Sequence, residues 1–141
     1  MKDLLPVRPV KVDRCVADGE ILPELDGLRV IHTPGHSAGQ IAFFWPHDGG
    51  LLFVGDAAAN TLGLRLSISY EDLQLGKRTL ARLARLPFAT ACFGHGKPLF
   101  NGAAGKFIQR WGVDEPHLMT GYDDRANKIP VGHGRRATEP V

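Results

Sequence analysis

LRVIHTPGHSAGQIAFFWPHDGGLLFVGDAAAN, residues 28–60, alternates three short apolar runs with loops that carry the reactive side chains. Leu28 to Ile31 is rich in Leu, Val and Ile and reads as a strand. Thr33-Pro34-Gly35 stops it, because Pro34 removes a ladder donor and Gly35 permits backbone angles that other residues avoid. His36 follows at once. Gln40 to Trp45 is the next strand, His47-Asp48-Gly49-Gly50 a turn, and Leu51 to Val54 a third strand that runs out into Gly55-Asp56. A later segment repeats the grammar: Ala89 to Phe93 is apolar and leads into Gly94-His95-Gly96.

His36, Asp56 and His95 therefore each sit just past the C-terminal end of an expected strand, beside Gly. Strands fix the stems of such loops, and function concentrates on them. If the strands share one sheet, two imidazoles and a carboxylate meet at one edge. That donor set suits zinc and other first-row divalent metals, at bond lengths of about 2.0–2.2 Å with a position left open for water. Lone His and Asp residues in loops are otherwise ordinary solvated or hydrogen-bonded groups. His32, four residues before His36, reads as a strand-end histidine oriented by a hydrogen bond, a supporting residue and not a ligand.

The wording HTPGHSAGQIAFF, then LLFVGDAAAN, then FGHGKP resembles the second half of the metallo-β-lactamase superfamily of metal-dependent hydrolases, over roughly residues 10–112. The resemblance implies that His36 binds a first metal, that His95 binds a second, and that Asp56 bridges the two as the catalytic carboxylate. It also implies an α/β fold: one αβ half of a metallo-β-lactamase-type αβ/βα sandwich, a mixed sheet flanked by helices. The family's His-x-His-x-Asp-His motif occurs nowhere in the 141 residues. The three motif residues are thus part of a ligand set, divided between two metal positions.

Working outward, the length allows one domain with a sound core. A net charge of +2 is too small to argue for nucleic acid or a membrane surface. No apolar run approaches the ~20 residues of a membrane span. The N-terminus lacks a signal peptide's apolar core, so a cytoplasmic setting is expected, with Cys15 and Cys92 as reduced thiols. Met1 stands where a truncated reading frame or an internal start would begin.

Val10, Val12 and Val16 alternate, and Asp18-Gly19 and Asp26-Gly27 are turn dipeptides, which suggests a small strand meander ahead of Leu28. After Asp56, residues 57–69 show no period. Ser69-Tyr70-Glu71-Asp72 resembles a capping box with Ser69 at the N-cap. The helix it opens carries Leu73, Leu80, Leu83 and Leu86 at helical spacing and ends at Pro87. Lys77, Arg78, Arg82 and Arg85 form its solvated face. Asn101 is the expected cap of a second helix, Ala103 to Trp111, with Phe107, Ile108 and Trp111 as its buried stripe and Gly112 as its stop. Residues 1–112 form the domain, and 113–141 read as a polar, mobile tail. Gly132-His133-Gly134 in that tail echoes 94–96, but no strand precedes it.

The function implied by the resemblance is metal-assisted hydrolysis by two divalent ions about 3.5–4 Å apart. Zinc is the expected metal, with Fe or Mn also suited to the donors. The wording lies nearest the hydroxyacylglutathione-hydrolase-like branch, which hydrolyses small-molecule thioesters and esters. With an incomplete ligand set the chain is expected to be a truncated hydrolase, inactive or nearly so alone. The alternatives are a half-fold that pairs with a second chain or another copy of itself, and a non-catalytic interaction module.

Overall fold

The computed structural model describes residues 10–112. In chain order its elements are β1 (Ile21–Leu22), a 3-10 turn (Pro23–Leu25), β2 (Leu28–His32), β3 (Ile41–Trp45), β4 (Leu51–Gly55), α1 (Leu73–Leu83), β5 (Thr90–Phe93) and α2 (Ala103–Trp111). The strands form one mixed sheet in the order β1-β2-β3-β4-β5. The first three pairings are antiparallel and β4–β5 is parallel. The turn at 47–50 closes with the Gly50 N–H donating to the His47 carbonyl (2.8 Å), which sets Trp45 opposite Leu51. A parallel pair cannot be joined by a tight turn, and α1 supplies the crossover.

Alternation along the strands then decides the layers. Ile31, Ala42, Leu52, Val54 and Ala91 point to one face and are buried against Leu80 and Leu83 of α1 and Phe107 of α2. Each fully buried side chain of the Leu or Val size stabilises by about 1.5–3 kcal/mol, so this interface carries the fold. The other face presents the cross-strand row Val30, Phe43, Phe53 and Cys92. Val30 is buried, but Phe53 is 42% exposed on a central strand. This is the α/β architecture expected from the sequence, with both helices on one face.

Several local expectations are corrected. Residues 10–20 contain no strand, and Val10 and Val12 are exposed. Their alternation finds no strand partner among the described residues; Gly19 donates to the Val30 carbonyl (2.9 Å) and strand pairing in this region is confined to Ile21–Leu22. The N-cap of α1 is Asp72, not Ser69: the Asp72 carboxylate accepts from the Leu75 N–H (2.8 Å), and Ser69 has φ 63°. The helix ends at Leu83, short of Leu86, and Leu73 is exposed. Gly102, without a side chain, precedes α2 where Asn101 was expected to cap it. Ile108 is exposed, because Phe107 and Trp111, four residues apart, already occupy the face that meets the sheet. The expected tail, 113–141, lies outside the described residues, as does His133.

Candidate metal site

Because β2 and β4 are each antiparallel to β3, they run parallel to one another, and β5 runs with β4. The C-terminal ends of all three therefore fall on one edge of the sheet, and the loops they lead into carry His36, Asp56 and His95. The β2 loop is tied back by the Thr33 N–H donating to the Gln40 carbonyl (2.7 Å). At Gly35 the backbone takes φ 134°, and a Cβ there would overlap the backbone of Gly76 in α1. Only glycine satisfies both demands, so the Pro34-Gly35 pair sets the direction in which His36 leaves the sheet.

Asp56 and His95 meet through the parallel pairing. The Gly94 N–H donates to the Gly55 carbonyl (2.9 Å), and the Asn60 N–H donates to the His95 carbonyl (3.0 Å). The Asp56 carboxylate lies against Gly94, where a Cβ would overlap Oδ1. His95 Nε2 stands 3.5 Å from that oxygen. This is an electrostatic approach and longer than a well-made hydrogen bond. The His36 ring packs edge-on to Tyr70 with centroids 5.7 Å apart. Among the described residues no three His, Cys, Asp or Glu side chains are drawn into one group that would hold a metal ion.

His36 Nδ1, Asp56 Oδ1 and Thr33 Oγ1 are buried without a hydrogen-bond partner among the described residues. An orphaned buried polar atom costs about 1–3 kcal/mol, so each of the three calls for a partner, an ordered water or an ion. An imidazole nitrogen and a carboxylate oxygen are donors to divalent metals, so these residues fit an ion while supplying only part of its shell. His32 is buried, and its Nε2–H donates to the Ala38 carbonyl (2.8 Å). Its backbone is bonded on both sides, the N–H to Asp18 Oδ1 (2.7 Å) and the carbonyl to Arg82. It thereby anchors the stem of the His36 loop.

Sequence reasoning passed over Tyr70. Its signal was an aromatic set directly before an acidic capping pair, with a glycine, Gly76, inside the helix that follows. Burial pushes the Tyr70 hydroxyl up to about 12, against a backbone hydrogen bond at Ser67 that lowers it. The folded state thus holds this proton more tightly than the unfolded chain does. That contribution is complete below pH 10 and is lost as pH rises from about 10 towards 12. Urea midpoints measured between pH 8 and 11.5 are expected to fall more steeply at the alkaline end for the native chain than for Tyr70→Phe; parallel curves would refute this.

The sequence profile of the metallo-beta-lactamase superfamily matches residues 3–95. The chain belongs to that superfamily, a family of metal-dependent hydrolases whose members bind divalent metals. Among solved structures it is similar to TTHA1429, a metallo-beta-lactamase family protein from Thermus thermophilus, with 32% identity and a TM-score of 0.53 over 74% of this chain and 35% of that one. TTHA1623, solved in a di-iron-bound form, is 31% identical with a TM-score of 0.50, over 79% and 50% of the two chains. A beta-lactamase domain protein from Burkholderia ambifaria, 24% identical with a TM-score of 0.56 over 76% and 34%, shares the fold. The chain thus spans between a third and a half of the length of these structures. No curated protein matches it. No helix among the described residues is long and apolar enough to cross a membrane.

Proposed function

We propose that the chain carries one edge of a two-metal hydrolase centre acting on a small-molecule ester or thioester, with His36 toward one ion, His95 toward the other and Asp56 between them. The observation that carries this reading is the pair of buried atoms that make no hydrogen bond among the described residues, His36 Nδ1 and Asp56 Oδ1, on loops that emerge at the same sheet edge. Divalent ions held there supply Lewis-acid polarisation of a scissile carbonyl and a water of lowered pKa. The chain's own residues hold and orient: Asp56 contributes charge, the two imidazoles neutral donors, and His32 fixes the loop stem. Zinc is the metal we assign first. Iron and manganese suit the same donors, and the di-iron form of TTHA1623 supports iron as the alternative.

The remaining ligands come from polypeptide beyond residues 10–112, in keeping with the share of the matched structures that the chain spans. The half-exposed row of Phe43, Phe53 and Cys92 favours a second polypeptide packed on that face, since a sheet buries its apolar face against another layer. The test is metal content per chain by elemental mass spectrometry, with the mass in solution recorded alongside. About one or more ions per chain, lost in His36→Ala and Asp56→Ala, supports the reading, and an oligomer supports completion by a partner. Metal at background in the native chain overturns it and leaves a non-catalytic module with inherited wording.

A further inference from the structure

Tyr70 belongs to none of the three motifs, yet it touches two of the loops that carry them. Its ring meets the His36 ring edge-on at an interplanar angle of 87°. Its hydroxyl donates to the carbonyl of Ala57, the residue directly after Asp56. Room for the ring comes from α1, where a Cβ at Gly76 would overlap it. A glycine inside a helix is otherwise unfavourable, and here it admits the aromatic.

The two residues after Tyr70 grip the same loop through their backbone. The Glu71 N–H donates to the His36 carbonyl (3.2 Å) and the Asp72 N–H to the Gly35 carbonyl (2.9 Å). The Glu71 carboxylate accepts from the Ala38 N–H (2.8 Å). Asp72 also caps α1, so residues 70–72 fasten the His36 loop to a helix end. From that anchored segment the Tyr70 side chain reaches across to the Asp56 loop. His36 Nδ1 has no hydrogen bond of its own, which leaves packing to fix the plane of its ring.

We propose that Tyr70 is a positioning residue of the metal edge, bracing the His36 ring with its own ring while its hydroxyl holds the peptide behind Asp56. The proposal rests on reading the edge as a metal site. Donors must stand within about 0.5 Å and 10–20° of the productive geometry to act together. Removing a group that orients a ligand typically lowers metal affinity about 10–100-fold. Tyr70→Phe keeps the ring and loses the hydroxyl anchor; Tyr70→Leu loses both.

The experiment titrates the full chain with cobalt(II), followed by visible absorption, for the native chain, Tyr70→Phe, Tyr70→Leu and His36→Ala. Imidazole nitrogen shifts of the metal-free proteins are recorded in parallel. Affinity is expected to fall about 10-fold in Tyr70→Phe and about 100-fold in Tyr70→Leu. In Tyr70→Leu the metal-free His36 signals are expected to move while those of His47, at the far turn, stay. If the affinity loss in Tyr70→Phe comes with shifts at both histidines and a urea midpoint lowered in step, the residue acts on general stability, and that result overturns the proposal. So does native affinity in both variants when His36→Ala has lost its metal; the metal reading then stands and the positioning role falls. Equal cobalt binding by the native chain and His36→Ala removes the metal reading and the proposal together. If Tyr70→Leu does not fold, Tyr70→Phe, which keeps the ring packing, decides.

Discussion

Phe107→Ala is expected to destabilise the chain by about 3–5 kcal/mol, the range for deleting a buried aromatic ring. Phe107 is fully buried in α2. Its ring stands perpendicular to Phe88 with centroids 5.1 Å apart, stacks on Phe93 at 6.2 Å and meets Trp111 at 5.0 Å. It therefore ties α2 to Phe93, the last residue of β5, and to Phe88, two residues ahead of that strand. Against a total stability of about 5–15 kcal/mol for a domain of this kind, the loss puts the variant near its threshold. Urea unfolding followed by far-UV circular dichroism measures it. Ile108→Ala, one residue on and 55% exposed, is the control and should stay within about 0.5 kcal/mol. A Phe107→Ala variant as stable as that control would mean that α2 does not dock on the sheet.

Gly35→Ala should cost about 2–6 kcal/mol, the sum of two separate penalties of about 1–3 kcal/mol each, for strained backbone and for overpacking. The backbone penalty follows from φ 134°, and the packing penalty from the overlap of the new Cβ with Gly76. Relief requires the loop to lift from α1, which breaks the bonds from Glu71 and Asp72 to residues 35 and 36. The variant is thus expected to lose its grip on His36 as well as stability. Gly39→Ala, in the same loop with open space around the position, should be close to neutral. The comparison is again by urea unfolding, and equal midpoints for the two variants would refute the account.

The strands were legible because their signals are local. Each of β2, β3, β4 and β5 is an apolar run closed by Pro, Gly or Asp turn chemistry, and no distant residue is needed to see it. The placement of His36, Asp56 and His95 past strand ends followed from the same punctuation, as did the bounds of α2. Where distant contacts decide, the sequence was silent. Ser69 and Asp72 are both good caps by type; the bonds of residues 70–72 to the His36 loop, more than thirty positions away, hold this stretch out of the helix and leave Asp72 as the cap. Val10, Val12 and Val16 alternate like a strand, but alternation cannot reveal that no described strand lies alongside. Tyr70 carried no motif, since its role depends on a helix glycine and two loops that meet only in the fold.

The strand order repeats the chain order, and this has a kinetic consequence. Strands β2 to β4 are joined by short connections and pair with their immediate predecessors, so they can zip together on the microsecond scale of hairpins. β5 joins them only when the chain after β4, which includes α1, has returned to the start of that strand, a long closure whose entropy is spent before the pairing rewards it. His95 arrives with that last strand. The loop of Asp56 is itself held by that arrival, through the Asn60 N–H on the His95 carbonyl, and by the Tyr70 hydroxyl on the Ala57 carbonyl, so the edge that we assign to metal is complete only once β5 has docked. A bound ion there would act on the final step of assembly, slowing the departure of β5 more than it speeds its arrival.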